Sequence, residues 1–265
     1  MKILITGAHG FVGNRLMQDL DDTVAAPSMR GMSEEQIRNM IEKSRADVII
    51  HTAAISDVGT CEKDPGASDE ANVRLPLFLA KAAKEQKLIC FSSDQVYRGC
   101  AAEGPYKEED ASPCNVYGRH KLEMEQRVLD VKPDAVMLRA EWMYDYPTKR
   151  SNYLRMLLNE KQVLTFGKQY RGITYLREVA ENMPKIFMLP GGVYNFGSET
   201  KQTMYDITCE MLHFLKSDRK SEEVPPTHNL WMDCTKAKER GILFSDAKEG
   251  LKRCLKDYHL AKDRE

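Results

Sequence analysis

The chain opens with an apolar run, Ile3-Leu4-Ile5, that leads directly into Thr6-Gly7-Ala8-His9-Gly10-Phe11-Val12-Gly13. A strand feeding a glycine loop and then a helix constrains the fold strongly, because glycines remove the side chains that would hold a phosphate away from backbone N–H groups and the helix N-terminus. The expected ligand is therefore a dinucleotide, with Gly7, Gly10 and Gly13 forming its cradle. The spacing is G-x-x-G-x-x-G rather than G-x-G-x-x-G, so the loop alone is also consistent with a tight strand-to-helix packing turn.

A second constellation adds chemistry. Phe91-Ser92-Ser93-Asp94-Gln95-Val96-Tyr97 ends another apolar run, and Tyr117-Gly118-Arg119-His120-Lys121 opens an amphipathic helix. Tyr117 and Lys121 stand four apart and so share one helix face. There the ammonium is expected to lower the phenol's pKa, making Tyr117 a proton donor near neutral pH, while the Ser93 hydroxyl polarises a substrate oxygen. This is carbonyl-reduction chemistry. A Tyr-x-x-x-Lys pair arises readily by chance; its weight comes from following the fourth strand-like segment of a chain that begins with a nucleotide loop.

Short apolar runs alternate with helix-length amphipathic segments, the βαβ signature of a parallel sheet. Strands are expected at Lys2 to Thr6, Thr23 to Ala26, Asp47 to Thr52, Leu88 to Ser92, Ala135 to Leu138 and Val193 to Phe196. Helices are expected near Phe11 to Leu20, Ser33 to Ser44, Asn72 to Gln86 and Val116 to Val131, with Ser33 and Glu35/Gln36 as a helix start. The fold class is thus α/β: a Rossmann-type doubly wound parallel sheet over about 1–140, rejoined near 176–197. A smaller substrate-binding lobe takes about 141–175 and 198–265. The charged run Lys216 to Glu223 before Pro225-Pro226 reads as a surface loop, and Ala261 to Glu265 as a frayed tail.

Composition narrows the function classes. A net charge of −1 provides no electrostatic footprint for nucleic acid or anionic membranes, and no apolar stretch approaches a membrane span. The 7 cysteines are scattered without a C-x-x-C pair, as expected of reduced thiols in a cytoplasmic protein. His9, His51, His120, His213, His228 and His259 show no ligand spacing, so no metal is expected.

Cofactor choice turns on the tip of the second strand, where NAD enzymes usually place an Asp or Glu against the ribose 2′-hydroxyl. The chain there reads Val24-Ala-Ala-Pro-Ser28-Met-Arg30, with no carboxylate. Ser28 and Arg30 are candidates to hold a 2′-phosphate, so NADPH is favoured over NADH. Arg30 as a solvated loop residue, and Arg15 as the phosphate contact instead, remain open.

The glycine loop, Ser93, Tyr117 and Lys121, with Pro113 four residues before the tyrosine, resemble the extended short-chain dehydrogenase/reductases. Among these the chain is most similar to the dTDP-4-dehydrorhamnose reductases, through Asp47-Val-Ile-Ile-His-Thr-Ala-Ala54, Asn72-Val73, Ser92-Ser-Asp94, Asn115-Val-Tyr-Gly118 with Lys121, Arg139-Ala-Glu-Trp-Met-Tyr144, and Leu230-Trp-Met-Asp-Cys-Thr-Lys236 with Gly241-Ile242. The resemblance implies hydride transfer from a nicotinamide to the keto carbon of a nucleotide-linked sugar, with the proton supplied by Tyr117. It implies further that Lys121 grips the nicotinamide ribose, that Phe11, Val12, Ala53 and Ala54 line the cofactor's path, and that Trp142 stands over the sugar. Asn72 ties neighbouring backbone or a relay water, a homodimer is the expected assembly, and Trp142 as a core residue stays open.

Departures from the pattern leave alternatives. Gln95 replaces the acid that sugar-nucleotide dehydratases need, which disfavours dehydration. Arg171-Gly-Ile-Thr-Tyr-Leu-Arg-Glu-Val-Ala180 resembles a stretch of nucleotide-sugar epimerases in which the arginine meets the substrate's pyrophosphate, so Arg171 is a substrate-binding candidate and an NAD-holding epimerase an alternative. Non-catalytic relatives that bind the dinucleotide as regulatory subunits are another.

Overall fold

Strand-like runs that are apolar at every position demand burial on both faces. A computed structural model, in which residues 1–148 and 150–260 are described, places six strands in one parallel sheet, with Ile3–Thr6, Val48–His51 and Val136–Ala140 buried at every position and Thr23–Ala25 at the partly exposed edge. In chain order the elements are β1 (Ile3–Thr6), α1 (Phe11–Asp19), β2 (Thr23–Ala25), α2 (Glu34–Ser44) and β3 (Val48–His51). There follow α3 (Val58–Lys63), α4 (Pro65–Asp69), a π-helical turn at Glu70–Arg74, α5 (Leu75–Ala82), β4 (Lys87–Ser93), α6 (Val116–Val131) and β5 (Val136–Ala140). The rest comprises β6 (Trp142–Tyr144), α7 (Tyr153–Leu158), β7 (Leu164–Phe166), β8 (Ile173–Tyr175), α8 (Leu176–Ile186), β9 (Gly192–Phe196), α9 (Met204–Phe214), β10 (Ser221–Glu223), α10 (Thr235–Lys238) and α11 (Ala247–Asp257).

The sheet order is β2-β1-β3-β4-β5-β9, so the chain first winds outward from β1 to β2 and then crosses back to β3. That reversal opens a crevice at the carboxyl ends of β1 and β3, where α/β folds of this kind bind ligands. Alternate strand residues feed two cores. Ile3, Ile5, Ile50 and Leu138 pack with Leu16 of α1 and Val179 and Met183 of α8. Leu4, Ile49, Leu88 and Met137 face the other way, onto Ile37 of α2, Leu79 of α5 and Met124 and Val128 of α6. A third cluster, including Tyr144, Tyr153, Ile173, Met211 and Leu251, gathers β6, α7, β8, α9 and α11. Ala237 and Ile242, by contrast, pack into the first core against the sheet.

All six expected strands are the six of this sheet. The start of α2 is the capping box expected at Ser33: Gln36 N donates to Ser33 Oγ at 3.2 Å and Ser33 N to Gln36 Oε1 at 2.8 Å. The helix expected from Asn72 is shorter, α5 running from Leu75 with Pro76 in its first turn, and Asn72 itself lies in the π-helical turn before it. The charged run expected as a loop is corrected in part. Ser221 to Glu223 form β10, parallel to β7 with Ser221 opposite Leu164, because backbone pairing leaves the Glu222 and Glu223 side chains exposed. Ala261 to Glu265 lie outside the described residues.

Two ionic anchors fix elements that reach the crevice. Arg15 on α1 is nearly buried: its Nε donates to Asp19 Oδ2 at 2.6 Å, and its NH1 donates to Asp145 Oδ2 at 3.2 Å and to Tyr258 Oη at 2.7 Å. It is therefore an internal clasp, and it also borders a recess with His9, Gly10 and Phe11. On α6, Glu125 accepts from Arg139 Nε at 3.0 Å and NH2 at 2.7 Å, and from Ser92 Oγ at 2.5 Å, with both charged side chains almost wholly buried. Removing one partner strands the other's charge in the interior. Glu125→Ala should lower unfolding free energy by about 3–5 kcal/mol, read from urea denaturation.

Candidate active site

The crevice begins with backbone geometry. Gly7 stands at φ +69°, and a Cβ there would come 2.7 Å from the Ala53 backbone nitrogen, so the loops after β1 and β3 meet at a contact only glycine permits. Gly10 caps α1 in extended conformation with no side-chain cap, and no acidic residue occupies the first turn. The free N–H groups of that turn are the ones a pyrophosphate needs. Gly10, Phe11 and Val12 line a cleft of about 640 Å³ together with Gly7, Ala53 and Ala54. Gly13 sits behind them, buried against Gly7.

Around the tip of β2, Ser28 and Arg30 line a smaller recess of about 270 Å³ that shares Gly7, Ala53 and Ala54 with the cleft. No aspartate or glutamate is among its lining residues. The surroundings fit an adenosine end whose ribose carries a phosphate better than one held by a carboxylate.

The chemical end is assembled by β4, α6 and the residues after β5. Asn115 starts α6 by accepting from Gly118 N at 2.7 Å, and it donates through Nδ2 to Gln95 Oε1 at 3.0 Å. A Cβ on Gly118 would collide with the Gln95 carbonyl, so the helix presses directly on the turn after β4. This brings Tyr117 and Lys121 into the same cleft as Ser93. Ser93 Oγ donates to Asp94 Oδ1 at 3.1 Å and accepts from Gln95 N at 3.2 Å. Lys121 is 2% exposed and donates through Nζ to the Phe91 carbonyl at 2.8 Å.

The electrostatics correct one expectation. Burial raises the Tyr117 phenol well above its ordinary range, with contact from the Ser93 hydroxyl opposing the rise. Lys121 does not offset this: its Nζ lies 5.9 Å from the Tyr117 ring centroid and is turned to Phe91. Burial instead brings Lys121 itself down to about 8, against the pull of Cys90 and Glu125. A phenol raised in this way keeps its proton throughout the neutral range.

Trp142 and Arg171 close the far wall. The Arg171 guanidinium carbon lies 5.1 Å from the Trp142 ring centroid, and its NH2 donates to the buried Asp94 at 3.1 Å. Arg171 thus stands beside Ser93-Asp94. Trp142 meets Tyr153 edge-on at 5.8 Å, so it lines the cleft and also packs on the third core. Asn72 donates to the Ile55 carbonyl at 2.9 Å and to Ser68 Oγ at 3.1 Å, a backbone tie. Sequence reasoning passed over Asp94 and Glu141 as site residues, and over Arg150, whose NH2 donates across the cleft to Ser56 Oγ at 2.8 Å. The signal for Glu141 was a lone acid at the end of an apolar strand. Among the described residues no group of three or more His, Cys, Asp or Glu could hold a metal ion, and no helix is long and apolar enough to cross a membrane.

A doubly wound sheet with a glycine loop at its switch point, and a Ser, Tyr and Lys set at the carboxyl end of the fourth strand, defines the short-chain dehydrogenase/reductase class. Within it the chain belongs to the family described as RmlD substrate binding domain, whose profile matches residues 1–259. It is 28% identical to a probable dTDP-4,6-dihydroxy-2-methyloxan-3-one 4-ketoreductase of Streptomyces antibioticus, over 82% of this chain and 78% of that one. It is also 28% identical to methionine adenosyltransferase 2 subunit beta of Danio rerio, over 78% of this chain and 72% of the relative. The fold superposes on the Bacillus anthracis dTDP-4-dehydrorhamnose reductase solved in complex with NADP, with a TM-score of 0.86 at 21% identity, covering 97% of this chain and 99% of the other.

The lowered Lys121 pKa sets the alkaline side of any activity that needs its ammonium. The folded value is depressed to about 8, so the charge is present below it and lost as pH rises through it. The kcat/KM profile of the free enzyme should fall above pH 8, and Lys121→Arg, whose guanidinium keeps its proton, should move that limb upward.

Proposed function

We propose that this chain catalyses NADPH-dependent reduction of the keto group of a nucleotide-linked sugar, in the manner of the dTDP-4-dehydrorhamnose reductases. The observation that carries the reading is the convergence of Ser93, Tyr117 and Lys121 on the cleft that the glycine loop opens into. Gly7, Gly10, Phe11, Val12, Gly13, Ala53 and Ala54 hold the dinucleotide, and Ser28 and Arg30 its 2′-phosphate. NADPH supplies the hydride to the carbonyl carbon. Ser93 donates a hydrogen bond to the carbonyl oxygen, and Tyr117 delivers its phenolic proton there as the C–O double bond becomes a hydroxyl. Lys121 fixes the nicotinamide ribose, while Trp142 and Arg171 hold the sugar nucleotide. The substrate lobe is assigned to the part of 141–175 and 198–260 that builds the third core, apart from the stretch around Ala237 and Ile242 that packs on the sheet, and the working form to a cytoplasmic homodimer on family likeness.

The likeness to methionine adenosyltransferase 2 subunit beta favours a second reading, a dinucleotide-binding regulatory subunit. The complete Ser93, Tyr117 and Lys121 set weighs for catalysis. NADPH and NADH oxidation by purified protein given dTDP-4-dehydro-6-deoxysugars separates the two. Turnover is expected, and Tyr117→Phe should reduce it about 10²- to 10⁴-fold while leaving NADPH affinity intact. Binding without turnover would support the regulatory role, and NAD retained through purification would support an epimerase. Arg30→Ala should cut the preference for NADPH over NADH about tenfold, a change confined to the NADPH arm.

A further inference from the structure

Sheet register creates a row of groups just beyond Ser93. Ser93 of β4, Ala140 of β5 and Phe196 of β9 are aligned neighbours, so Asp94, Glu141 and Gly197 form the next row at the sheet edge. Glu141 is 5% exposed and contributes to the cleft wall. A carboxyl buried beside Ala140 and Trp142 is costly unless it has partners, and burial holds it well above the ordinary carboxylate range. The chain makes room for it nonetheless. A Cβ on either Gly172 or Gly197 would run into the Glu141 side chain. Thr174 Oγ1 donates to Glu141 Oε2 at 2.9 Å.

Unmet hydrogen-bonding capacity surrounds this carboxyl. Arg171 Nε and Ser198 Oγ are both buried with no hydrogen-bond partner among the described residues. Arg171 meets Asp94 through its NH2 and Trp142 through its face. Next to Ser93, then, the cleft wall carries a carboxyl, an aromatic face and a guanidinium. That set suits a ring bearing several hydroxyls: the carboxyl accepts or donates, the guanidinium donates, and the indole covers the C–H face.

We propose that Glu141 is a specificity-determining residue that hydrogen-bonds a hydroxyl of the substrate's sugar ring, close to the carbon that reacts at Ser93 and Tyr117. The inference rests on the nucleotide-sugar reading and goes beyond it by assigning the sugar contact to this side chain. A carboxyl that served packing alone would affect the whole ligand or none of it. A sugar contact affects only what the sugar adds.

The experiment is calorimetric titration of the NADPH-loaded wild type, Glu141→Ala and Glu141→Gln with dTDP and dTDP-glucose, and with UDP and UDP-glucose, alongside thermal unfolding of each protein. In the wild type the sugar should tighten binding relative to the bare nucleotide. Glu141→Ala should reduce that advantage about tenfold while bare-nucleotide affinity stays within about twofold. Glu141→Gln, which keeps the shape and a hydrogen-bonding head, should retain part of it and guards against misfolding of the alanine variant. An advantage unchanged in both variants, a sugar that adds nothing in the wild type, or equal losses for nucleotide and nucleotide sugar would each overturn the assignment. Failure of the wild type to bind any of the four compounds would instead overturn the nucleotide-sugar reading itself.

Discussion

The site depends on how helix α6 is held. Gly118 lets the helix press on the Gln95 carbonyl, Asn115 ties its first turn to the Gln95 side chain, and two turns beyond the tyrosine Glu125 is locked to Arg139 and Ser92. Ser92 and Ser93 belong to one strand, and strand residues alternate faces. The same stretch of β4 therefore offers the Ser92 hydroxyl to the anchor and places Ser93 at the cleft. Tyr117 and Lys121 have little freedom to leave Ser93, because backbone contact at one end and a buried ion pair at the other define the helix position.

Burial then does more than shape the cleft. It raises the Tyr117 phenol above its ordinary range, brings Lys121 down to about 8, and pushes the Glu141 carboxyl well above the ordinary carboxylate range. Desolvation is the common cause. Arg171 and Asp94 form the charged counterpart, a pair whose arginine lies partly in the cleft while its carboxylate is buried. The floor of the site thus sets groups whose proton affinities burial has shifted beside one ion pair fixed by Arg171 and Asp94.

The nucleotide half was legible because its rules are local. Ile3 to Ile5, Val48 to Ile50 and Leu88 to Phe91 are apolar at every position, and each is followed by a segment with helical spacing, so a doubly wound parallel sheet follows from the alternation. Ser33 with Gln36 and Asn115 before Val116 are helix starts written in adjacent residues. Beyond residue 140 the strands β6, β7, β8 and β10 have three residues each and pair only with partners remote in sequence, Leu164 with Ser221 for example, so no local pattern announces them. The same holds within the site. Tyr117 and Lys121 could be paired by helical spacing, whereas Asp94 with Arg171, and Glu141 with Gly172 and Gly197, meet only after folding. The pKa of Tyr117 was misjudged for a related reason: four-residue spacing fixes a shared face, but the direction of the lysine head depends on the Phe91 carbonyl.

The Arg15 clasp has a thermodynamic consequence. One helix, α1, presents its uncapped first turn to the cleft and, a turn further on, grips Tyr258 just beyond α11 and Asp145 just beyond β6. Ordering of α11 and the placing of the glycine loop therefore act on the same rigid body. By linkage, a nucleotide held at that loop, as the proposed function has it, would be retained less well by whatever loosens α11 and would in turn damp the fraying of that helix.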